Sequence, residues 1–163
     1  MIVKVKYTDE HAPELYREAS GELNKEVPFK TYESDFCYDC VAVSCEKVAH
    51  RVYKYDLGIS LQIDDEKIKF LDRDIILDID ARPRSSVWKT GMSLCNCEGT
   101  IDKNYTGKIS AYFYHVLDNM PKYEVGDKVC QIKIGATIPI DFVVVDELDS
   151  TDRADGGFGS TDK

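Results

Sequence analysis

A chain of 163 residues with 30 acidic against 21 basic side chains carries a formal net charge of −9. Its length suits one ordinary domain with a sizeable core. The charge argues against a general nucleic-acid or membrane-surface binder, both of which need basic patches, but it leaves room for a small polyanion where Arg, Lys and a metal ion gather locally. No apolar run is long enough for a transmembrane helix. The alternating start Met1-Ile-Val-Lys-Val-Lys6 is unlike a signal peptide, so the expected setting is the cytoplasm.

Taken in chain order, the dominant signal is period-2 alternation, the pattern of half-buried strands. Val3, Val5 and Tyr7 alternate with Lys4 and Lys6. Pro13 then opens a short helical stretch, Glu14 to Ala19, which Gly21 stops, with Leu15, Tyr16 and Ala19 as a small apolar face. Ser34 to Ala42 reads as a strand with Asp39 set among apolar residues. Leu57, Ile59, Leu61 and Ile63 give the cleanest strand, followed by a polar turn at 64–67 and by Ile75, Leu77 and Ile79 with Asp78 and Asp80 opposite. Lys108–Val116, Lys128–Ile134 and Asp141–Val145 are rich in β-branched and aromatic residues, which fit a pleated surface. Many short strands with turns between them predict an all-β sandwich or barrel. Residues 1–148 form the β domain in this reading, and 149–163 a flexible arm.

Six cysteines include a C-x-x-C pair, Cys37 and Cys40, and a C-x-C pair, Cys95 and Cys97. The second spacing is not the usual zinc knuckle and both pairs sit in β-like sequence, so buried or half-buried thiols are expected over a structural zinc.

Five segments carry chemistry. In Arg82-Pro-Arg-Ser-Ser86, proline fixes the backbone while a guanidinium and a hydroxyl face outward together, a pairing that suits phosphate oxygens. The plain alternative is a loop with a surface arginine. Between Asn96 and Gly107 the glycines at 99 and 107 bracket a predicted β-hairpin, with Thr100 and Ile101 as its arm and Asp102–Thr106 as its tip. There Asn96 offers a donor and an acceptor to a base edge, Asp102 could take a proton from an attacking water, and Tyr105 could lie against a sugar; turn-forming Asp and Asn are the bland version. Gly126-Asp-Lys-Val-Cys-Gln131 is a turn leading into a strand, with Gln131 opposite Ile132. Asp39 reads equally as an edge-strand carboxylate. Finally, Arg153-Ala-Asp-Gly-Gly-Phe-Gly-Ser-Thr161 combines an anion nest, hydroxyl donors and a stacking ring, unless it is simply a frayed terminus.

Together and in this order, these segments resemble the five motifs of the trimeric dUTPases. Tyr38-Asp39 with Val41-Ala42 is similar to the first motif, Pro83 to Ser86 to the second, Gly99 to Gly107 to the third, Gly126 to Gln131 to the fourth and Arg153 to Thr161 to the fifth. The resemblance implies a β jelly roll that forms a homotrimer, with each active site shared by three subunits. It implies hydrolysis of dUTP to dUMP and pyrophosphate, which keeps uracil out of DNA and supplies dUMP for thymidylate synthesis. Asn96 would pair with the uracil edge, beside the backbone of Gly99, Thr100 and Ile101, and Tyr105 would pack on the deoxyribose. Asp102 would activate the water, while Arg84, Ser85, Ser86 and Gln131 would hold the phosphates. Phe158 and Gly159 would cover the base, with Arg153, Ser160 and Thr161 near the γ-phosphate. Mg²⁺ would ride on the triphosphate with Asp39 in its outer shell, and neither nucleic acid nor membrane is an expected partner. The chain departs from the family pattern at Cys37, Ala154 and Asp162, where glycine is usual, and is longer near 13–29 and 64–81. A dCTP deaminase-like relative is the second reading, although it would need glutamate at position 102 and no closing arm. A non-catalytic jelly-roll binding protein is the third.

Overall fold

Residues 2–64, 68–70 and 73–151 are described by a computed structural model. The elements are β1 (Val3–Tyr7), α1 (Ala12–Ser20), β2 (Tyr38–Val41), β3 (Ser44–Ala49), β4 (Val52–Asp56), β5 (Ile59–Ile63), β6 (Ile68–Phe70), β7 (Arg73–Pro83), β8 (Met92–Leu94), β9 (Gly99–Ile101), β10 (Ser110–His115) and β11 (Lys128–Thr137). Every strand pairing is antiparallel. One sheet has the order β3-β4-β10-β8, another β2-β11-β7-β6 with β9 also on β7, and β1 pairs with β5. The predicted all-β jelly roll is what forms, with the single short helix where Pro13 and Gly21 place it. No helix among the described residues is long and apolar enough to cross a membrane.

The core takes its side chains from both larger sheets and from α1. Tyr55 on β4, Phe113 on β10 and Tyr123 meet edge-on, with ring centroids 5.4–6.1 Å apart, the geometry that ring quadrupoles favour. The Tyr55 hydroxyl donates to the Tyr123 carbonyl at 2.9 Å, so the buried phenol keeps a partner. Cys40 and Cys130 face each other across β2 and β11 and are fully buried. Their mutual hydrogen bond and the burial hold the Cys40 thiol well above its usual range. Cys97, by contrast, is exposed in the turn after β8 and has a positive φ of 58°.

Two expected elements differ. Gly99–Ile101 does not fold back as a hairpin arm but pairs with β7, Ile79 opposite Ile101 and Ala81 opposite Gly99. The reason is that β10 already has β4 on one edge and β8 on the other, so no edge is left for β9. Asp141–Val145, expected as a strand, has no pairing partner among the described residues. Its side chains stand in solvent, Phe142 at 91% and Val144 at 98% exposure. A β-type sequence forms a ladder only where it meets an edge, and among the described residues this segment meets none. Within the extra length near 64–81, β6 pairs antiparallel with β7, Ile68 opposite Ile75. Cys37 needs no left-handed backbone; among the described residues only Asn24, Arg51 and Cys97 have positive φ without being glycine.

Helix α1 is seated by a close approach at Gly58. That residue has φ +67°, and a Cβ there would stand 2.7 Å from Val43 Cγ1 and 2.8 Å from Ala12 Cβ. Gly58→Ala should therefore cost about 2–4 kcal/mol from left-handed strain and overpacking. Urea unfolding checks this, and a loss under ~0.5 kcal/mol, the range of a neutral surface change, would contradict it.

Candidate active site

Strand β7 ends on Pro83, and the chain then runs extended through Arg84 into a 3-10 turn, Ser85–Lys89. Arg84 does not wave in solvent. Its Nε donates to Asp39 Oδ1 at 2.8 Å and its Nη2 to Asp39 Oδ2 at 3.3 Å, a two-pronged pairing. Nη1 donates to Ser86 Oγ at 3.2 Å. Asp39 is buried on β2 and also has Lys128 Nζ at 3.6 Å. The carboxylate thus holds two cations that belong to two different motifs. Gln131 lies opposite Arg82 and Asp39 in the sheet, and its Nε2 donates to the Pro83 carbonyl at 3.2 Å.

Arg84 and Ser86 open onto a cleft of about 480 Å³ also lined by Lys89, Lys122, Asp127 and Lys128. Its lining carries four cations and one carboxylate, Asp127, with Asp39 beneath and Glu124, on Lys122 at 2.6 Å, offsetting part of that charge; the cations on the lining favour an anion locally. Ser85 is exposed beside it. Sequence reasoning gave no role to Lys89, Lys122 or Lys128; Lys128 sat inside the fourth motif and was the visible signal.

A second cleft, of about 470 Å³, gathers Asn96, Gly99, Thr100, Ile101, Asp102 and Tyr105. Lys54 and Lys108 line it too, and nothing in their sequence surroundings marked them. The turn from β8 to β9 crosses between sheets here. Gly99 lets the Asn96 amide lie close to the backbone, since a Cβ would stand 2.9 Å from Asn96 Nδ2 and push that side chain aside. A polar network ties β9 to β7: Thr100 donates to Asp80 Oδ1 at 2.9 Å, while Arg82 pairs with Asp80 at 3.4 Å and with Glu98. Beyond β9, the Tyr105 N–H donates to the Asp102 carbonyl at 2.9 Å, and the Tyr105 hydroxyl to the Lys108 carbonyl at 2.8 Å. The ring is held against Gly107 yet stays 47% exposed. The Asp102 carboxylate is exposed.

The two clefts share no lining residue. One chain therefore presents a cation-lined cleft and a separate cleft with an amide, a carboxylate and an aromatic ring. Arg153, Phe158, Gly159, Ser160 and Thr161 lie outside the described residues. Among those that are described, no group of three His, Cys, Asp or Glu could hold a metal ion.

A family profile described as dUTPase matches residues 80–162. The deoxyuridine 5'-triphosphate nucleotidohydrolase of Clostridium novyi is 32% identical over 139 residues, covering 83% of this chain and 89% of that protein. The Finegoldia magna protein of the same name is 41% identical over 85 residues, 52% of this chain. The alignments span 59% of the Finegoldia protein and 56% of a Hydrogenobaculum relative. The dUTPase of Staphylococcus bacteriophage 80alpha, solved as its G164S mutant with dUpNHpp, superposes with a TM-score of 0.71 at 16% identity over 98% of both chains. The dUTPase from phage phi11 of S. aureus gives 0.64 at 16% identity, over 93% of this chain. This chain belongs to the dUTPase family.

The Asp39–Arg84 pair is open to a double-mutant cycle. Asp39→Asn alone should destabilise by about 1.5–3 kcal/mol, the range for hydrogen bonds to charged groups. Combined with Arg84→Met it should cost clearly less than the sum of the two single changes. Additive losses would show that the pair does not hold the loop.

Proposed function

We infer that the protein hydrolyses dUTP to dUMP and pyrophosphate, at sites completed between copies of the chain. The observation that carries this reading is the division of labour between two clefts that share no residue. A nucleoside triphosphate needs both chemistries at once, so the phosphate cleft of one copy has to meet the nucleoside cleft of another. The unpaired run from Ile138 to Leu148 supports such an assembly. Ile140, Phe142, Val143, Val144 and Leu148 are each at least 70% exposed, an apolar stretch that favours burial against a second subunit. A homotrimer is the assembly we propose, with residues 1–148 as the β domain and 149–163 as the arm that reaches a neighbouring site.

In that site, the Asn96 amide pairs with the uracil edge, while Gly99, Thr100 and Ile101 lend backbone groups. A pocket built to pair with one base edge rejects bases that leave its polar groups unpaired. Tyr105, pinned by its own hydroxyl, packs on the deoxyribose and leaves no room for a 2′-hydroxyl. Asp102 accepts the proton of a water aimed at the α-phosphorus. Arg84, already oriented by Asp39, acts with Ser85, Ser86 and Gln131 on the phosphate oxygens, and being pre-positioned it costs no reorganisation when charge develops. Arg153, Phe158, Gly159, Ser160 and Thr161 of the arm cover base and γ-phosphate and keep bulk water out.

The donor set fits a Mg²⁺ that arrives on the triphosphate: Asp127 is the one carboxylate on the lining of the phosphate cleft, and Asp39 beneath Arg84 has both oxygens already serving that arginine. Asp39 would reach the ion through water, and the ion would neutralise phosphate charge.

Pyrophosphate release from dUTP, dCTP, dTTP and UTP tests the reading. Release from dUTP alone is the expected result, and ammonia from dCTP or no reaction at all would reject it. Asp102→Asn should lower kcat by at least ~10²-fold, the lower range for a general base, with dUTP binding still measurable by calorimetry. Turnover within a few-fold of wild type would remove Asp102 from that role.

A further inference from the structure

Helix α1 touches both the core and the phosphate cleft. Its buried residues are Ala12, Tyr16 and Ser20, with Leu15 and Ala19 half-buried alongside. Tyr16 donates to the Leu57 carbonyl at 3.2 Å, and burial, then the nearby Cys40, push its phenol well above the usual range. Leu15 comes within 3.9 Å of where a Gly126 Cβ would lie. Gly126 and Asp127 are themselves stitched to the end of β2: the Gly126 N–H donates to the Ala42 carbonyl at 2.8 Å, and the Ala42 N–H to the Asp127 carbonyl at 2.9 Å. The helix therefore backs the turn that delivers Lys128 and Gln131. One residue of its last turn, Ala19, lines the cleft beside Arg84, Ser86 and Lys128.

We propose that α1 is a wall of the phosphate half-site and that Ala19 is the specificity-determining position through which the helix meets a bound polyphosphate. This rests on reading that cleft as the phosphate half-site. The charges of the helix are kept off it: Glu14, Arg17 and Glu18 are exposed, and Arg17 pairs with Glu26. What the helix offers to the cleft is small and neutral, which leaves the anion to the surrounding cations. A carboxylate at position 19 would stand among those cations and oppose the ligand, whereas an ammonium would add to them.

The test uses the full chain with two probes, dUTP turnover and calorimetric binding of inorganic tripolyphosphate. Ala19→Glu should weaken tripolyphosphate binding and raise KM by about tenfold at low ionic strength, a loss that shrinks as salt is added. Its kcat should change far less than its KM. Ala19→Lys should bind tripolyphosphate more tightly than wild type, and Ala19→Gln should fall between the two. Glu18→Gln, on the exposed face, should match wild type. Equal losses for the Glu, Gln and Lys variants, without salt dependence, would show a merely structural helix and overturn the proposal. If Ala19→Glu does not fold, the opposite shift of Ala19→Lys still decides. Wild-type protein that fails to turn over dUTP would count against the proposed function; intact turnover without charge-ordered affinities would count against this inference alone.

Discussion

Strand β7 is the constraint on which both half-sites depend. Over Ile79–Pro83 it is paired on one side with β11, and over Ile79–Ala81 with β9 as well. The first pairing sets Gln131 opposite Arg82 and brings the Pro83 carbonyl within reach of the glutamine amide. The second anchors the segment that runs on to Asp102 and Tyr105. A one-residue slip of β7 would turn every side chain to the other face, and both clefts would lose their lining at once. The Asp80–Arg82–Glu98 network, with Thr100 on Asp80, adds a polar lock on the β9 side.

Electrostatics then divide the surface. The chain as a whole is strongly acidic, yet Arg84, Lys89, Lys122 and Lys128 collect around one cleft. Asp39 lies buried beneath two of them. Breaking such a pair is costly because it strands a charge, which fits a carboxylate whose work is to aim Arg84. The three lysines are held over aromatic rings, Lys128 at 4.7 Å from the Phe29 centroid, Lys122 at 5.7 Å from that of Tyr53 and Lys89 at 5.7 Å from that of Trp88. Such contacts limit how far the ammonium groups wander.

Strands β1, β5 and β7 were legible from their alternation, and β11 from its β-branched content. The helix was legible from Pro13 and Gly21. Less visible was the β3–β4 hairpin, since its turn carries none of the usual Gly or Asn signals. Arg51 takes φ 60° there. It is held by long-range contacts, donating from Nε to the His115 carbonyl at 2.8 Å and from Nη2 to Val116 and Asp118. Local sequence cannot announce a turn that distant groups stabilise. The same holds for β9, whose partner is β7 and not β10, and for Asp141–Val145, a strand-like sequence that pairs with no strand among the described residues. Of the site, the motif residues were legible as motifs. Their division between clefts was implied only by the family resemblance, with its site shared among subunits; no local pattern carries it, because it arises once the sheets are assembled.

The account turns on a site that no single chain completes, and mixing two disabled variants tests that most directly. Asp102→Asn damages only the nucleoside half, and Arg84→Ala only the phosphate half. Each should be inactive alone. Co-refolded at equal amounts, they should recover on the order of a quarter of wild-type dUTP turnover, the share of interfaces in a closed cyclic assembly that pair two intact halves. A mixture as inactive as its components, formed from chains that do assemble, would place both halves of the site in one subunit and contradict the account.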